Sequence, residues 1–415
     1  MENQKVMNRG LVVFGAILIQ LALGAIYAWS VFTPSLVAEG WSKANTQWVF
    51  AIGLASFAIF MVFSGKKLAT WGPQRLAILG GIILGVGYLL AGLFGGTSFY
   101  SLLLLIGLVG GAGIGIAYVV PIAVGMRWFP DKKGMITGLA VAGFGFGALL
   151  WVKLAGSWGH LIDNLGLSTT FTIYGIAFAA MVIIGGMWMK FPPAGWKPEG
   201  YEENKSATGG SADDREFSTS EMLGKVQFYL IFLTFVFSAG AGLMSIGLMK
   251  LYPMEALING GYSETEASAI AGTAMAVFFS LANGLGRILW GMLSDKLGRK
   301  TSIIMMTAIQ GIVVILFTYM AGSEYLLYLG ATLIGFNFGG NFALFPTITA
   351  DTFGAKNVGL NYPWVFLAYG FGGIMGPILG GKLGDMGNFP LAFTIAGVAV
   401  LLGTVLTIMV KPARK

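Results

Sequence analysis

Gly291-Met292-Leu293-Ser294-Asp295-Lys296-Leu297-Gly298-Arg299-Lys300 is the stretch that decides how this 415-residue chain folds. It gathers four charged residues between two apolar runs, 267–286 continuing past Arg287 and 301–323. Each run is long enough to cross a bilayer, which takes about 20 helical residues. The decapeptide therefore reads as a charged turn at a membrane face. Gly291 lets neighbouring helices approach, and Asp295 can cap a helix N-terminus or pair with a base when that side is closed.

The rest of the chain repeats this alternation. Hydrophobic residues make up 56% and charged residues only 10%, where a soluble protein carries about 25% charge. Secreted, disordered and cytosolic classes are excluded. The absence of Cys excludes a disulfide framework, thiolate catalysis and Cys-ligated metal, and one His excludes a His-rich metal site. Neither a metal nor a cofactor is expected. The 64 glycines suit close helix packing in lipid. Charge-free runs, with 76–126 divided at Gly95-Gly96-Thr97-Ser98, give twelve transmembrane spans of an all-α membrane protein. With the N-terminus inside, the inner segments hold 20 of the 25 Lys and Arg, the outer loops hold Lys43, Lys250 and Lys382, and Lys153 and Arg287 lie within spans. That bias places both termini in the cytoplasm and explains the +7 charge without nucleic acid. The first apolar stretch is of span length, so no separate signal peptide is expected.

The deciding stretch has an echo. Gly65 and Gly72 repeat the seven-residue spacing of Gly291 and Gly298, although Ala69 stands in the place of Asp295. Pro121 pairs with Pro346, and Gly145-Phe146-Gly147 pairs with Gly370-Phe371-Gly372, all at offsets of 225 or 226 residues. Residues 193–225, rich in Gly, Ser and mixed charge, read as a flexible cytoplasmic linker. The expected layout is a six-helix bundle over 1–192, the linker, and a second pseudo-symmetric six-helix bundle over 226–415. A midplane site between two repeats is a known carrier design.

Residues 291–300 resemble the signature Gly-x-x-x-Asp-x-x-Gly-Arg-Lys/Arg of the major facilitator superfamily. The resemblance implies that fold, with Gly291, Asp295, Gly298 and Arg299 in the gate. Four further places are similar to oxalate/formate antiporter-type carriers, relatives of the monocarboxylate transporters. These are Gly24 to Phe32, with Tyr27, Trp29 and Ser30; Arg127 to Gly134; Phe217 to Leu223, with Glu221; and Phe336 to Phe342. This narrower resemblance implies small carboxylates as substrates.

The residues point the same way through Arg287. An intramembrane guanidinium costs about 2.5–3.5 kcal/mol on insertion scales, so a compensating role is expected. Thr273, Ser280 and Arg287 are seven apart, with Asn283 one turn before Arg287, and read as one polar face of the eighth span lining an aqueous cavity. A guanidinium fork there matches a carboxylate. Snorkelling of Arg287 toward head groups is the competing reading. The resemblance adds aromatic residues around the substrate: Tyr27, Tyr118, Phe144, Phe338, Phe342, Phe366 and Tyr369. Relatives that carry monocarboxylates commonly have an Asp where this chain has Asn283, and no acid falls in mid-membrane. A proton can then ride on the substrate's own carboxyl, or one anion can exchange for another. Lys153 lies out of phase with Phe144 and is expected to reach outward, while His160, beside Asp163, reads as a surface histidine.

The expectation is a monomeric secondary transporter of small monocarboxylates (lactate, pyruvate, acetate or formate), working by alternating access with a proton or a counter-anion, in the bacterial inner membrane. Exchange of the oxalate/formate type is the alternative. A membrane-embedded enzyme lacks a catalytic constellation, and a channel fits neither the repeat nor the gate motif.

Overall fold

The computed structural model describes residues 7–130, 133–156, 158–193, 196, 198, 216–354 and 357–411. Among them the regular structure is helical throughout, with twelve helices of fifteen or more residues. These are α1 (Arg9–Leu23), α2 (Lys43–Trp71), α3 (Pro73–Leu90), α4 (Gly111–Trp128), α5 (Lys133–Ala155), α6 (Leu161–Gly186), α7 (Val226–Leu248), α8 (Ser280–Leu297), α9 (Arg299–Met320), α10 (Glu324–Phe353), α11 (Val358–Asp385) and α12 (Phe389–Met409). Eleven helical segments are long and apolar enough to cross a membrane. The thirty-residue α10 is long enough but falls outside that set, its apolar character diluted by Asn337, Asn341 and three glycines between Leu333 and Phe342. The chain is an integral membrane protein.

Local chemistry sets the helix ends. Asn8 accepts from the Gly10 amide to start α1, and Ser42 accepts from Asn45 to start α2. Gly72 and Gly298 close α2 and α8 with φ of 78° and 85°, a left-handed backbone that costs a side-chain-bearing residue about 1–2 kcal/mol. Their nearly identical conformations are the structural counterpart of the shared Gly spacing. Pro121 and Pro346 likewise lie inside α4 and α10.

Two helices are broken at the depth of the site. After α1 the chain continues as a 3₁₀ stretch, Gly24–Val31, before the short helix Thr33–Ala38. Before α8, a helix Glu264–Thr273 passes into a π stretch, Ala274–Phe279. Such segments break the 3.6-residue register, and the second corrects one expectation. Thr273 is only partly buried while Ser280, Asn283 and Arg287 are fully buried, so the polar face begins at Ser280.

Packing between the two halves runs through two pairs, α2 with α11 and α5 with α8. Small residues let them touch. A Cβ on Gly145 would meet the Gly284 backbone at 2.7 Å, one on Gly65 would meet the Gly359 carbonyl at 2.8 Å, and one on Gly370 would meet Ala58 at 2.8 Å. Near the start of α2, Gln47 reaches the Gly247 carbonyl of α7 at 3.5 Å and packs on Gly381 of α11. The α2–α11 seam is therefore closed near both ends and in the middle.

Within the segment read as linker, residues 199–215 lie outside the described residues, as do Asp131 and Lys132 of the Arg127 to Gly134 stretch. Residues 216–225 hold a short helix, Thr219–Leu223, started by a capping box between Ser218 and Glu221. Phe217 ties it to the end of α10: its amide donates to the Phe353 carbonyl at 2.9 Å, and its own carbonyl accepts from Asn361 at 3.0 Å.

Candidate functional site

Arg287 sits in the middle of this closed assembly with no exposure. Asn283, one turn earlier on α8, accepts from Nε at 3.0 Å, and the Val141 carbonyl of α5 accepts from Nη1 at 3.0 Å. The carbon of the guanidinium lies 4.0 Å from the centre of the Phe342 ring and 5.3 Å from that of Phe144, favourable contacts for a desolvated cation. Nη2 makes no well-formed hydrogen bond, and neither do Nδ2 of Asn283 and the hydroxyls of Tyr118 and Tyr362, although the hydroxyls of Tyr118 and Tyr27 lie against the guanidinium. Arg287 is the one charged side chain buried among the described residues. A buried donor left unsatisfied costs about 1–3 kcal/mol, and more when charged. The guanidinium's own Nη2 and three groups in the same cluster form a preorganised demand for an acceptor.

Aromatic rings close the rest of the space. Tyr27, in the 3₁₀ break, packs edge-on to Phe144 at 5.0 Å and reaches Phe338 at 5.8 Å. Its hydroxyl shares a hydrogen bond with Tyr369 of the other half at 3.0 Å. Phe342 meets both Phe338 and Tyr369, and Phe366 stacks on Tyr369 at 4.9 Å. Tyr118 faces Phe144 at 5.4 Å and Phe366 at 5.5 Å. All nine residues expected around the substrate are thus buried in one contiguous cluster, drawn from the 3₁₀ break after α1 and from α4, α5, α8, α10 and α11. Snorkelling of Arg287 does not occur in this form. The side chains of the cluster are fully buried rather than arranged as an open wall, because the seams through Gly145 and Gly65 have brought the two halves together.

Three participants have no motif behind them. Phe57 of α2 touches Tyr118, Phe366 and Tyr369 at 4.9–5.5 Å. The Val141 carbonyl is a backbone group that no side-chain pattern announces. Tyr362 stands one turn from Phe366 on α11 with its hydroxyl free. Its signal was the spacing Tyr362, Phe366, Tyr369, which puts all three on one helix face. Asn337 and Asn341 make other bonds: Asn337 donates to the Leu333 carbonyl, and Asn341 joins Ser238, which also contacts Gln310.

The gate-motif residues cluster where α8, α9 and α10 meet. Arg299 pairs with Asp295 at 2.6 Å and with Asp351 at 3.3 Å, and donates to the Ser294 hydroxyl. Asp295 therefore acts as an ion-pair partner across the Gly298 turn. Near the opposite end of the molecule, Lys250 from the second half feels the charge of Asp163 from the first. Burial pulls the Lys250 pKa below the usual lysine value, and the Asp163 charge works against that. His160 has a left-handed backbone, φ 46°, and its exposed ring lies 3.6 Å from Asp163. Lys153 is half-buried on α5.

The Major Facilitator Superfamily model matches residues 12–259 and 249–415. The chain is 28% identical to the uncharacterized MFS-type transporter YhjX of Escherichia coli (strain K12), over 88% of this chain and 86% of that one. It is 26% identical to the oxalate:formate antiporter of Oxalobacter formigenes, over 96% and 90%. It is 25% identical to the apicoplast pyruvate carrier 1 of Toxoplasma gondii, over 85% and 80%. The chain belongs to the Major Facilitator Superfamily and is a transporter, not an enzyme.

Proposed function

We propose that this transporter carries small monocarboxylates, of the lactate, pyruvate, acetate or formate class, by alternating access between two six-helix bundles of twelve spans in all. The observation that carries the reading is the unpaired Nη2 of a fully buried Arg287, beside the unpaired Nδ2 of Asn283. An anion supplies the missing acceptor and the missing charge together, and a carboxylate matches the planar fork. The surrounding phenylalanines suit a short alkyl end, and with one cation in the cluster a second carboxylate would be desolvated without a counter-charge. Two relatives, named for oxalate and formate and for pyruvate, support this substrate class.

In the cycle, substrate pairs with Arg287 while one end is open. The α5–α8 and α2–α11 seams then close, and opening at the other end releases the acid. Asp295, Arg299 and Asp351 hold the end that the basic residues mark as cytoplasmic, where both termini also lie, in the plasma membrane of a bacterium. No buried carboxylate accompanies Arg287 among the described residues. A proton taken up with the acid therefore travels on the substrate's own carboxyl group, or the return step carries a counter-anion, as the alternative of oxalate/formate-type exchange requires. Uptake of labelled C1–C4 acids into proteoliposomes, with and without an inward proton gradient, tests the reading. Saturable uptake of monoacids is expected, and indifference of the carrier to every acid in the panel would overturn it.

A further inference from the structure

The hydroxyl of Tyr369 is committed to Tyr27 across the two halves at 3.0 Å. It is therefore not the free group that a substrate's second polar atom would find. Two other tyrosine hydroxyls in the same cluster make no well-formed hydrogen bond: that of Tyr118 on α4, which lies against the Arg287 guanidinium, and that of Tyr362 on α11. Both side chains are buried, at 0% and 2% exposure. They come from opposite halves and flank one ring, Phe366, at 5.5 and 5.7 Å between centroids. The two tyrosines are electrostatic neighbours of each other and of Arg287. They make no hydrogen bond to each other, and neither hydroxyl donates to an acceptor, which a small acceptor between them would provide to both.

We infer that Tyr118 and Tyr362 together bind the oxygen on C2 of a 2-hydroxy or 2-oxo acid, making Tyr362 a specificity-determining residue of this carrier. The inference rests on the monocarboxylate reading above and deepens it. With the carboxylate on Arg287 and Asn283, the C2 substituent of lactate or pyruvate lies next to the anchoring group. A ketone oxygen accepts from both hydroxyls, and an alcohol accepts from one and donates to the other. Propionate offers a methylene there and leaves both hydroxyls without an acceptor in a buried site, a penalty that the substituted acids escape. Phe366 packs against both tyrosine rings, and the short alkyl end turns toward Phe144 and Phe342.

The test is competition against a labelled monoacid in proteoliposomes of the full-length protein. Pyruvate, lactate and propionate serve as competitors in the unmodified carrier and in Tyr362→Phe. The unmodified carrier should favour pyruvate and lactate over propionate, and Tyr362→Phe should reduce that preference about tenfold. The readout is a ratio within one preparation, so a lower yield of folded variant leaves it unaffected. Tyr118→Phe should lower the same ratio. An unchanged ratio in Tyr362→Phe, with monoacid transport intact, overturns this inference and leaves the proposed function standing. Failure of the unmodified carrier to transport any monoacid overturns both.

Discussion

The two halves share a plan and divide the work unequally. Gly72 and Gly298 turn the chain with nearly the same backbone angles, and Pro121 and Pro346 lie inside corresponding helices. The polar side chains diverge. The second half holds Arg287 and Asn283, the Asp295–Arg299–Asp351 cluster and the buried trio Ser238, Gln310 and Asn341. To the cluster around Arg287 the first half contributes aromatic faces, the hydroxyl of Tyr118 and one backbone carbonyl, from Val141. The difference teaches that a repeat can conserve its hinges and seams while concentrating charge in one copy. On the proposed function, the second half grips the ligand and the first half closes over it.

That division can be broken most severely at a seam. Gly145→Val should reduce transport by about a hundredfold or more, since even its Cβ would meet the Gly284 backbone at 2.7 Å. Binding in an open form should survive. Measuring affinity and turnover on the same sample checks the split, and equal losses in both would argue that the first half grips as well as closes.

A charge placed between the halves sharpens the comparison at smaller scale. Tyr369→Lys adds a second cation beside the first half's Tyr27 and should shift the ranking of oxalate against lactate or formate about tenfold toward oxalate. Competition by unlabelled C1–C4 mono- and diacids reads it. An unchanged ranking, or oxalate already leading in the unmodified protein, would contradict the one-cation account.

The smallest effects belong to the gate. Asp295→Ala should slow turnover roughly fivefold while leaving affinity nearly unchanged, because Arg299 keeps Asp351. The mirror change, Ala69→Asp, should alter turnover less than about twofold. Where the second copy has Arg299, the first has Pro73, so a new acid finds no base at the equivalent place. Comparable effects from the two substitutions would show that the first half gates too.

Much of this was legible in the sequence, and the exceptions share a cause. Gly spacing marked both turns, and Arg287 declared itself by the cost of an unpaired cation inside a membrane. Counting residues at 3.6 per turn failed at Thr273, because the π stretch Ala274–Phe279 is produced by packing rather than announced by composition. Composition also hid the helix Thr219–Leu223 inside a polar segment, although Ser218 and Glu221 spelled a capping box three residues apart. Which tyrosine hydroxyls are spent and which are free depends on contacts between residues 342 positions apart, as for Tyr27 and Tyr369. No local pattern carries that information.

The central claim is that the unpaired fork of Arg287 receives the substrate's carboxylate. Counterflow tests it most directly: proteoliposomes are preloaded with unlabelled pyruvate, and labelled pyruvate is followed from outside, for the unmodified protein beside Arg287→Lys. The account predicts transient accumulation above equilibrium by the unmodified carrier and loss of most of it in the Lys variant, since a point ammonium keeps the charge but not the two-pronged geometry. Near-normal counterflow by Arg287→Lys would contradict it.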